Sequence, residues 1–463
     1  MKLNKFLKES SIYIVLSFIQ KGLSFLLVPF YTVFLSPHEF GLVNQVIALH
    51  SIYILIISFS LNEAIAKGIM NDESEGKKKV RMNIVLLNFG LVLFGTLILL
   101  IFKPWLYSNL LKEANDAIIY CSIVIVASTP IFFIYQKFLR MIGEPMRYAR
   151  TMIAFIVLQV LFSVVYIYLF DLGSLGYMLA IASVSSLFGC YSYFKLAVFD
   201  KSFISLSEIK QHFTYSLKLI PHSISGWGMN GFTNYALGKL GQLASVGILN
   251  AINIVGVLIN VVSKSILDAL QPWIYAQLKE KEKNHHKIKQ IVNLLCGLMV
   301  GIGIFIIMFD EFFLKIALPE KYYEGIIYAP FLVLNSVILA MGSMTVYVIY
   351  YFDSKVKYVS ISTLTGAVIN IILGYILIKN YEIIGAITSL VITNFIITII
   401  KSYISSRIIK LPYNMYDLYA VITGTAFAVH LYPEYKPYVC ILSLIYLGIK
   451  LFLLAKRLNY EQQ

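Results

Sequence analysis

Apolar stretches of about twenty residues follow one another from residue 11 to residue 454, and no interval between them could hold a sizeable soluble domain. An α-helix rises 1.5 Å per residue, so about twenty residues cover the roughly 30 Å hydrocarbon core of a bilayer. Inside that core every backbone N–H and C=O must be paired within the protein, which makes the helix the natural element for such a stretch. Composition agrees. Of 463 residues, 59% are hydrophobic and 13% charged, against roughly a quarter charged in soluble domains. The chain therefore reads as an all-α polytopic membrane protein.

Fourteen stretches are recognised, the first at 11–34 and the last at 439–454; those at 213–235, 244–262 and 416–432 are the most polar or the shortest. Residues 1–11 (MKLNKFLKESS) are polar, and the apolar stretch after them is long enough to stay as a helix, so no cleaved signal peptide is expected. With the N-terminus in the cytoplasm, cytoplasmic segments hold 30 of the 38 Lys and Arg residues and outer loops hold 7. A missed or invented helix would invert every later loop and blur this contrast. The sequence thus predicts a multi-pass membrane protein with both termini cytoplasmic.

Charge placement also limits function. The net charge of +14 sits in short loops, as expected for segments held at an anionic membrane face and not for a nucleic-acid surface. That is how we read Lys77, Lys78, Lys79 and Arg81, and likewise Lys279, Lys281 and Lys283. Cys121, Cys190, Cys296 and Cys440 lie in apolar stretches without paired spacing, so packed free thiols are expected and no metal site. No phosphate-cradling GxxxxGK[ST] run is present, and no cofactor is expected.

Stretches one to six resemble seven to twelve at an offset of 206 to 210 residues. Gly41 to Asn44 (GLVN) is echoed by Gly247 to Asn250 (GILN), Arg147-Tyr148 by Lys357-Tyr358, and Leu175-Gly176 by Ile384-Gly385. Six helices is an even number, so the halves enter the membrane in one orientation and are related by an axis along its normal. The expected organisation is a six-helix bundle over 1–200, a second over 201–410, and two further helices with a tail over 411–463. Pro29 and Pro221, and Pro130 and Pro330, fall in corresponding stretches, as interrupted helices of a moving element or as prolines merely tolerated in a membrane.

The run KGLSFLLVP from Lys21 to Pro29, followed by LSPHEFG from Leu35 to Gly41, resembles the opening of bacterial polysaccharide flippases. These belong to the multidrug/oligosaccharidyl-lipid/polysaccharide exporter (MOP) superfamily. Leu237 to Lys239 (LGK), Val246-Gly247, Gln271 to Trp273 (QPW), Glu320 to Tyr322 (EKY) and Ile384 to Ala386 (IGA) extend the resemblance over residues 10–410. Relatives often carry an arginine where this chain has Val33 or Phe34, and an Asp-Arg pair where it has Thr233 and Asn234, so mechanisms using those charges do not carry over. The resemblance implies passage of an undecaprenyl-diphosphate-linked oligosaccharide from the cytoplasmic to the outer leaflet, for O-antigen, capsule or exopolysaccharide. Its partners would be that lipid-linked cargo and membrane lipids, with proton or sodium coupling left open and no nucleic acid.

Ionisable groups deep in a span are functional candidates because they cost about 2.5–3.5 kcal/mol to insert. Lys21 lies ten residues into the first stretch. Lys21 and Lys218 are the candidates to attract the diphosphate, helped by Arg140; a lysine that snorkels or is held by carbonyls is the alternative for Lys21. His50 and His222 are candidates for proton coupling, or neutral histidines packed between helices. Trp227, Asn230 and Asn234 offer stacking and hydrogen bonds to sugar, or polar contacts between helices. Every Asp and Glu is placed in a loop or near a span end, with Glu63 and Asp268 as partners for Lys67 and Lys264. The competing readings are a cation-coupled multidrug exporter of the same superfamily, disfavoured by the lack of a deep carboxylate, and a polysaccharide polymerase, disfavoured by short outer loops.

Overall fold

The computed structural model describes residues 27–58, 60–71, 74–197, 201–279 and 285–460, which are almost wholly helical with no strand among them. The helices are α1 (27–34), α2 (Pro37–Ser58), α3 (Leu61–Asn71), α4 (Ser74–Asn109), α5 (Asp116–Met141), α6 (Pro145–Ser163), α7 (Gly173–Leu196) and α8 (Leu206–Leu217). There follow α9 (Ile220–Lys239), α10 (Leu243–Ile252), α11 (Ile254–Lys279), α12 (His285–Ala317) and α13 (Ala329–Tyr350). The last are α14 (Val356–Ile409), α15 (Tyr416–Leu431) and α16 (Lys436–Tyr460). Nine helices among the described residues are long and apolar enough to cross a membrane, ten if the bent pair α10–α11 is one span. Large apolar side chains face outward in stripes: Phe89, Leu93, Phe94, Leu97 and Ile101 of α4 are each at least half exposed. Water would penalise that face. Lipid does not.

The described residues form two compact units, divided between Gly247 and Ile248. In the first, α5 is the central helix, contributing Ile131, Phe132 and Leu139 to one core and Ile119, Ile125 and Val126 to another. Phe132, Phe155 and Phe188 tie α5, α6 and α7 together with ring centroids 5.0–5.4 Å apart. In the second, α13 has the same role, packing on α11, α12 and α14 with Leu332, Val333, Val337, Met341 and Met344 buried. Gly189 lets α7 approach Ser128 of α5, and Gly342 lets α13 approach Thr398 of α14.

The repeat seen in the sequence has a structural cause at two places. A straight 54-residue α14 would be about 80 Å long, far beyond a bilayer. The chain turns back at Glu382 (φ 50°, ψ −124°), so tightly that a Cβ on Gly385 would lie 2.1 Å from the Leu377 carbonyl oxygen. Its counterpart is the turn at Asp171 (φ 50°), where a Cβ on Gly176 would lie 2.8 Å from the Tyr166 carbonyl. Both glycines are the ones the sequence pairs. The second is a close approach of two helices within the first unit. A Cβ on Gly41 would lie 1.7 Å from the Leu243 carbonyl oxygen, and one on Gly247 1.9 Å from that of Pro37. Pro37 and Leu243 each open their helix, so the approach is reciprocal.

Several expectations are corrected. The stretch 213–235 is not one helix: α8 ends at Leu217 and α9 begins at Ile220. Pro221 and Pro330 lie in the first turn of their helices, where a missing N–H costs nothing, whereas Pro130 is inside α5. Cys190 is exposed and not packed. Helix α12 continues to Ala317, so Asp310 is not in a loop: it is 0% exposed and ion-paired with Lys436 at the start of α16.

Candidate functional site

Helix α9 differs from its neighbours. Its twenty residues include Ser223, Ser225, Asn230, Thr233, Asn234 and four glycines, and it is not among the helices apolar enough to count as a span by itself. A helix of that kind is stable beside lipid only if it packs closely on other helices or faces a polar space, and small residues permit the close packing. It runs antiparallel to α2. Gly238 sits against the Gln45 side chain, Trp227 Nε1 donates to the Ala48 carbonyl at 2.7 Å, and Ser223 and Ser60 hydroxyls meet at 2.8 Å. Gly231 leaves room for the Trp227 ring, since a Cβ there would lie 2.4 Å from Nε1.

On α9, Asn234 is seven residues beyond Trp227 and shares its face, half-buried with a partner of its own. Asn230 is exposed and donates within its own helix to the Gly226 carbonyl at 2.9 Å. The Trp227 N–H is therefore used in binding α2, and Asn230 is the amide turned outward. His50, buried on α2, points to α5, where Ser122 Oγ is 3.4 Å from Nδ1. His222 lies in the first turn of α9. Lys21 lies outside the described residues.

The other candidates lie at the Lys218 end of the first unit, joined by Lys137 and Tyr215, which the sequence did not single out, and by Glu63 and Lys67, expected there only as partners of each other. Lys218 is exposed in the two-residue break between α8 and α9. One turn earlier on α8, Tyr215 carries the Lys67 ammonium 4.2 Å above its ring. One turn before Lys67 on α3, Glu63 accepts two 3.0 Å bonds from Lys137 of α5. Arg140, one turn after Lys137, lies over the Tyr148 ring at 5.2 Å. Arg140, Lys137, Lys67 and Lys218 thus form a path across α5, α3 and α8 with Glu63 as the carboxylate among them. This corrects the pairing expected for Glu63: its partner is Lys137, and Lys67 is left to the tyrosine. The Asp268 side chain is outside what is described, and Lys264 is exposed. Partners so distant in sequence leave no local signal.

The basic run on α4 also does more than hold a loop. Arg81 donates to the carbonyls of Lys195 (2.8 Å) and Leu196 (3.1 and 3.3 Å), capping the end of α7. Lys79 pairs with Glu208 at 2.5 Å. Buried Asn83 accepts from the Ser205 N–H and donates to the Phe203 carbonyl and Glu208. The connection from α7 to α8 is fastened to α4 by these groups.

Curated protein sequences give no match. The family model described as polysaccharide biosynthesis protein matches residues 6–277, more than half of the chain. Among solved structures, an inward-facing multidrug resistance MATE family transporter of the MOP superfamily is similar with a TM-score of 0.66 at 18% identity, covering 84% of this chain and 94% of that one. The lipid II flippase MurJ, in an inward closed conformation, is similar with a TM-score of 0.59 at 14% identity, covering 94% of this chain and 99% of that one. At these identities the likeness is one of fold.

Proposed function

We propose that this chain, which belongs to the polysaccharide biosynthesis protein family, is a flippase. It carries an undecaprenyl-diphosphate-linked oligosaccharide repeat unit from the cytoplasmic to the outer leaflet of a bacterial inner membrane, by alternating access between two six-helix bundles. The polymer served is O-antigen, capsule or exopolysaccharide. The observation that carries this reading is the cationic path Arg140–Lys137–Lys67–Lys218. The distribution of Lys and Arg assigns its end of the bundle to the cytoplasm, where the cargo is made. A diphosphate leaving water for a low-dielectric cleft needs cations to offset lost hydration, and ammonium and guanidinium groups supply charge-assisted hydrogen bonds. Lys21, outside the described residues, remains a candidate to attract the diphosphate.

Farther along α9, the outward Asn230 suits the hydroxyl groups of a sugar, with Asn234 and the Trp227 ring beside it. Outward movement of an anion is favoured by about 2.3 kcal/mol per charge per 100 mV, inside negative, so the voltage alone favours export. His50 and His222 are the candidates for proton coupling, and sodium is the other ion considered.

The test is the leaflet distribution of the lipid-linked oligosaccharide in cells with and without the protein, read with an outer-face glycan label and mass spectrometry. Finished precursor held on the inner leaflet in its absence, and released on its return, supports the reading. Normal sidedness with unpolymerised precursor outside overturns it in favour of a polymerase. No change in any precursor overturns it in favour of multidrug export.

A further inference from the structure

Away from the cationic path, the second unit holds a cavity of about 580 Å³ where α14 ends and α15 begins. Its α14 wall is a single stripe at helical spacing. Ile399 comes first, then Ser402 and Tyr403, then Ser406 and Arg407, and last Lys410. Along the helix the lining therefore passes from apolar, through hydroxyl, to cationic over about 16 Å. Arg407 is 25 residues beyond the turn at Glu382, about 38 Å of helix, which puts these two points on opposite sides of a roughly 30 Å hydrocarbon core. The cations are thus at a membrane surface, and Ile399 reaches toward the acyl chains. The headgroup layer is only about 5–7 Å deep on each side, so the stripe crosses it completely.

The polar groups are held ready. Tyr403 Oη accepts from Arg407 Nε at 3.0 Å and Nη2 at 2.9 Å, which fixes the plane of the guanidinium. Among the described residues no carboxylate is within ion-pair distance of Arg407, although a guanidinium has five donors to place. Asp417, the acid nearest in sequence, is engaged by Lys450 of α16 at 2.5 Å. On the α15 side Tyr419 is 8% exposed, and its hydroxyl faces that of Ser402 across the cavity wall. Tyr413 is bonded to Ser405 at 2.8 Å, and burial pushes its phenol up, so that wall stays neutral.

We propose that this cavity binds the headgroup of an anionic glycerophospholipid: Arg407 and Lys410 hold the phosphate, Ser402 and Tyr419 meet the glycerol-ester oxygens, and an acyl chain follows Ile399. Two cations without a lining carboxylate select against a zwitterionic lipid, whose own cation would meet them. The gradient along α14 selects a lipid over a soluble phosphate, which would leave the apolar end of the stripe uncovered.

The experiment is native mass spectrometry of the full-length, delipidated protein in detergent, titrated with phosphatidylglycerol, phosphatidylcholine or inorganic phosphate. Phosphatidylglycerol is expected to bind at least about fivefold tighter than phosphatidylcholine, from the attraction of each basic residue for an anionic headgroup. Arg407→Gln and Lys410→Gln should each remove most of that preference, Tyr419→Phe should weaken both lipids alike, and Lys357→Gln, at the other end of α14, leaves the preference intact. If Arg407→Gln fails to fold, Lys410→Gln, at an exposed position, decides. Equal binding of the two lipids overturns the proposal, as does an equal loss in Lys357→Gln. Displacement of phosphatidylglycerol by equimolar inorganic phosphate would instead assign the site to a soluble phosphate and overturn the lipid.

Discussion

Placing an alanine at Gly41 or Gly247 tests the reciprocal approach of α2 and α10. The Gly41→Ala methyl would lie 1.7 Å from the Leu243 carbonyl oxygen, and real Cβ contacts do not fall below 3.0 Å, so the helices must separate by at least about 1.3 Å. For Gly247→Ala, starting from 1.9 Å, the separation is at least about 1.1 Å. The obstacle is backbone, which cannot rotate away, so the cost belongs at the upper end of the ~1–3 kcal/mol of overpacking. Replacing a helical glycine returns about 1 kcal/mol. Each substitution should therefore destabilise by about 2 kcal/mol, or roughly 4–8 °C in Tm for a unit of this size. Because both methyls press on one interface, the separation forced by the first accommodates the second. The double variant should cost clearly less than the sum, with a coupling of at least about 1 kcal/mol. Gly90→Ala and Gly424→Ala, which meet nothing within 4 Å, are the controls and should be neutral or stabilising. Thermal unfolding in detergent, followed by scattering and tryptophan fluorescence, reads all five variants. Behaviour of Gly41→Ala like Gly90→Ala, or strict additivity in the double, would refute the reciprocal contact.

Three further outcomes are expected. Asn83→Ala should unfasten the connection between α7 and α8, at about 2–3 kcal/mol for the partners left unsatisfied, and speed proteolytic cleavage within 201–205. Lys436→Met leaves the fully buried Asp310 carboxylate unpaired and should destabilise by about 3–5 kcal/mol, whereas Lys436→Met with Asp310→Leu should recover most of the loss in the same melt. Lys67→Gln with Lys218→Gln, both at exposed positions, should lower oligosaccharide transport on the order of tenfold without changing Tm; an unchanged transport rate would remove the cationic path from the mechanism.

Much of the fold was legible because lipid enforces a simple code. Apolar length gave the helices, and glycines at Gly41, Gly176, Gly247 and Gly385 marked sites where backbone must approach backbone, a demand that no larger residue can meet. What the sequence hid are breaks and partners. The interruption at Lys218 and Leu219 and the bend between α10 and α11 fall inside stretches whose polarity hardly changes. The Glu63–Lys137 pair spans 74 residues and Arg81 reaches the end of α7, contacts that only tertiary packing sets. Asp310 misled for a related reason: a carboxylate near an apparent span end reads as a loop residue, yet Lys436, 126 residues on, makes its burial tolerable. For the candidate site, residue type pointed to Arg140 and Lys218, while Lys67 and Lys137, which connect them, were visible only once α3, α5 and α8 were side by side.

The central claim is that the protein itself moves a diphosphate-linked oligosaccharide across a bilayer. The direct measurement is its reconstitution into sealed proteoliposomes carrying a labelled undecaprenyl-diphosphate oligosaccharide in the inner leaflet, with arrival outside read by a membrane-impermeant glycosidase or lectin. We expect protein-dependent appearance of label that an inside-negative potential accelerates and that Lys67→Gln with Lys218→Gln slows. Label that stays inside at every potential, in vesicles whose protein is folded and correctly oriented, would contradict the account.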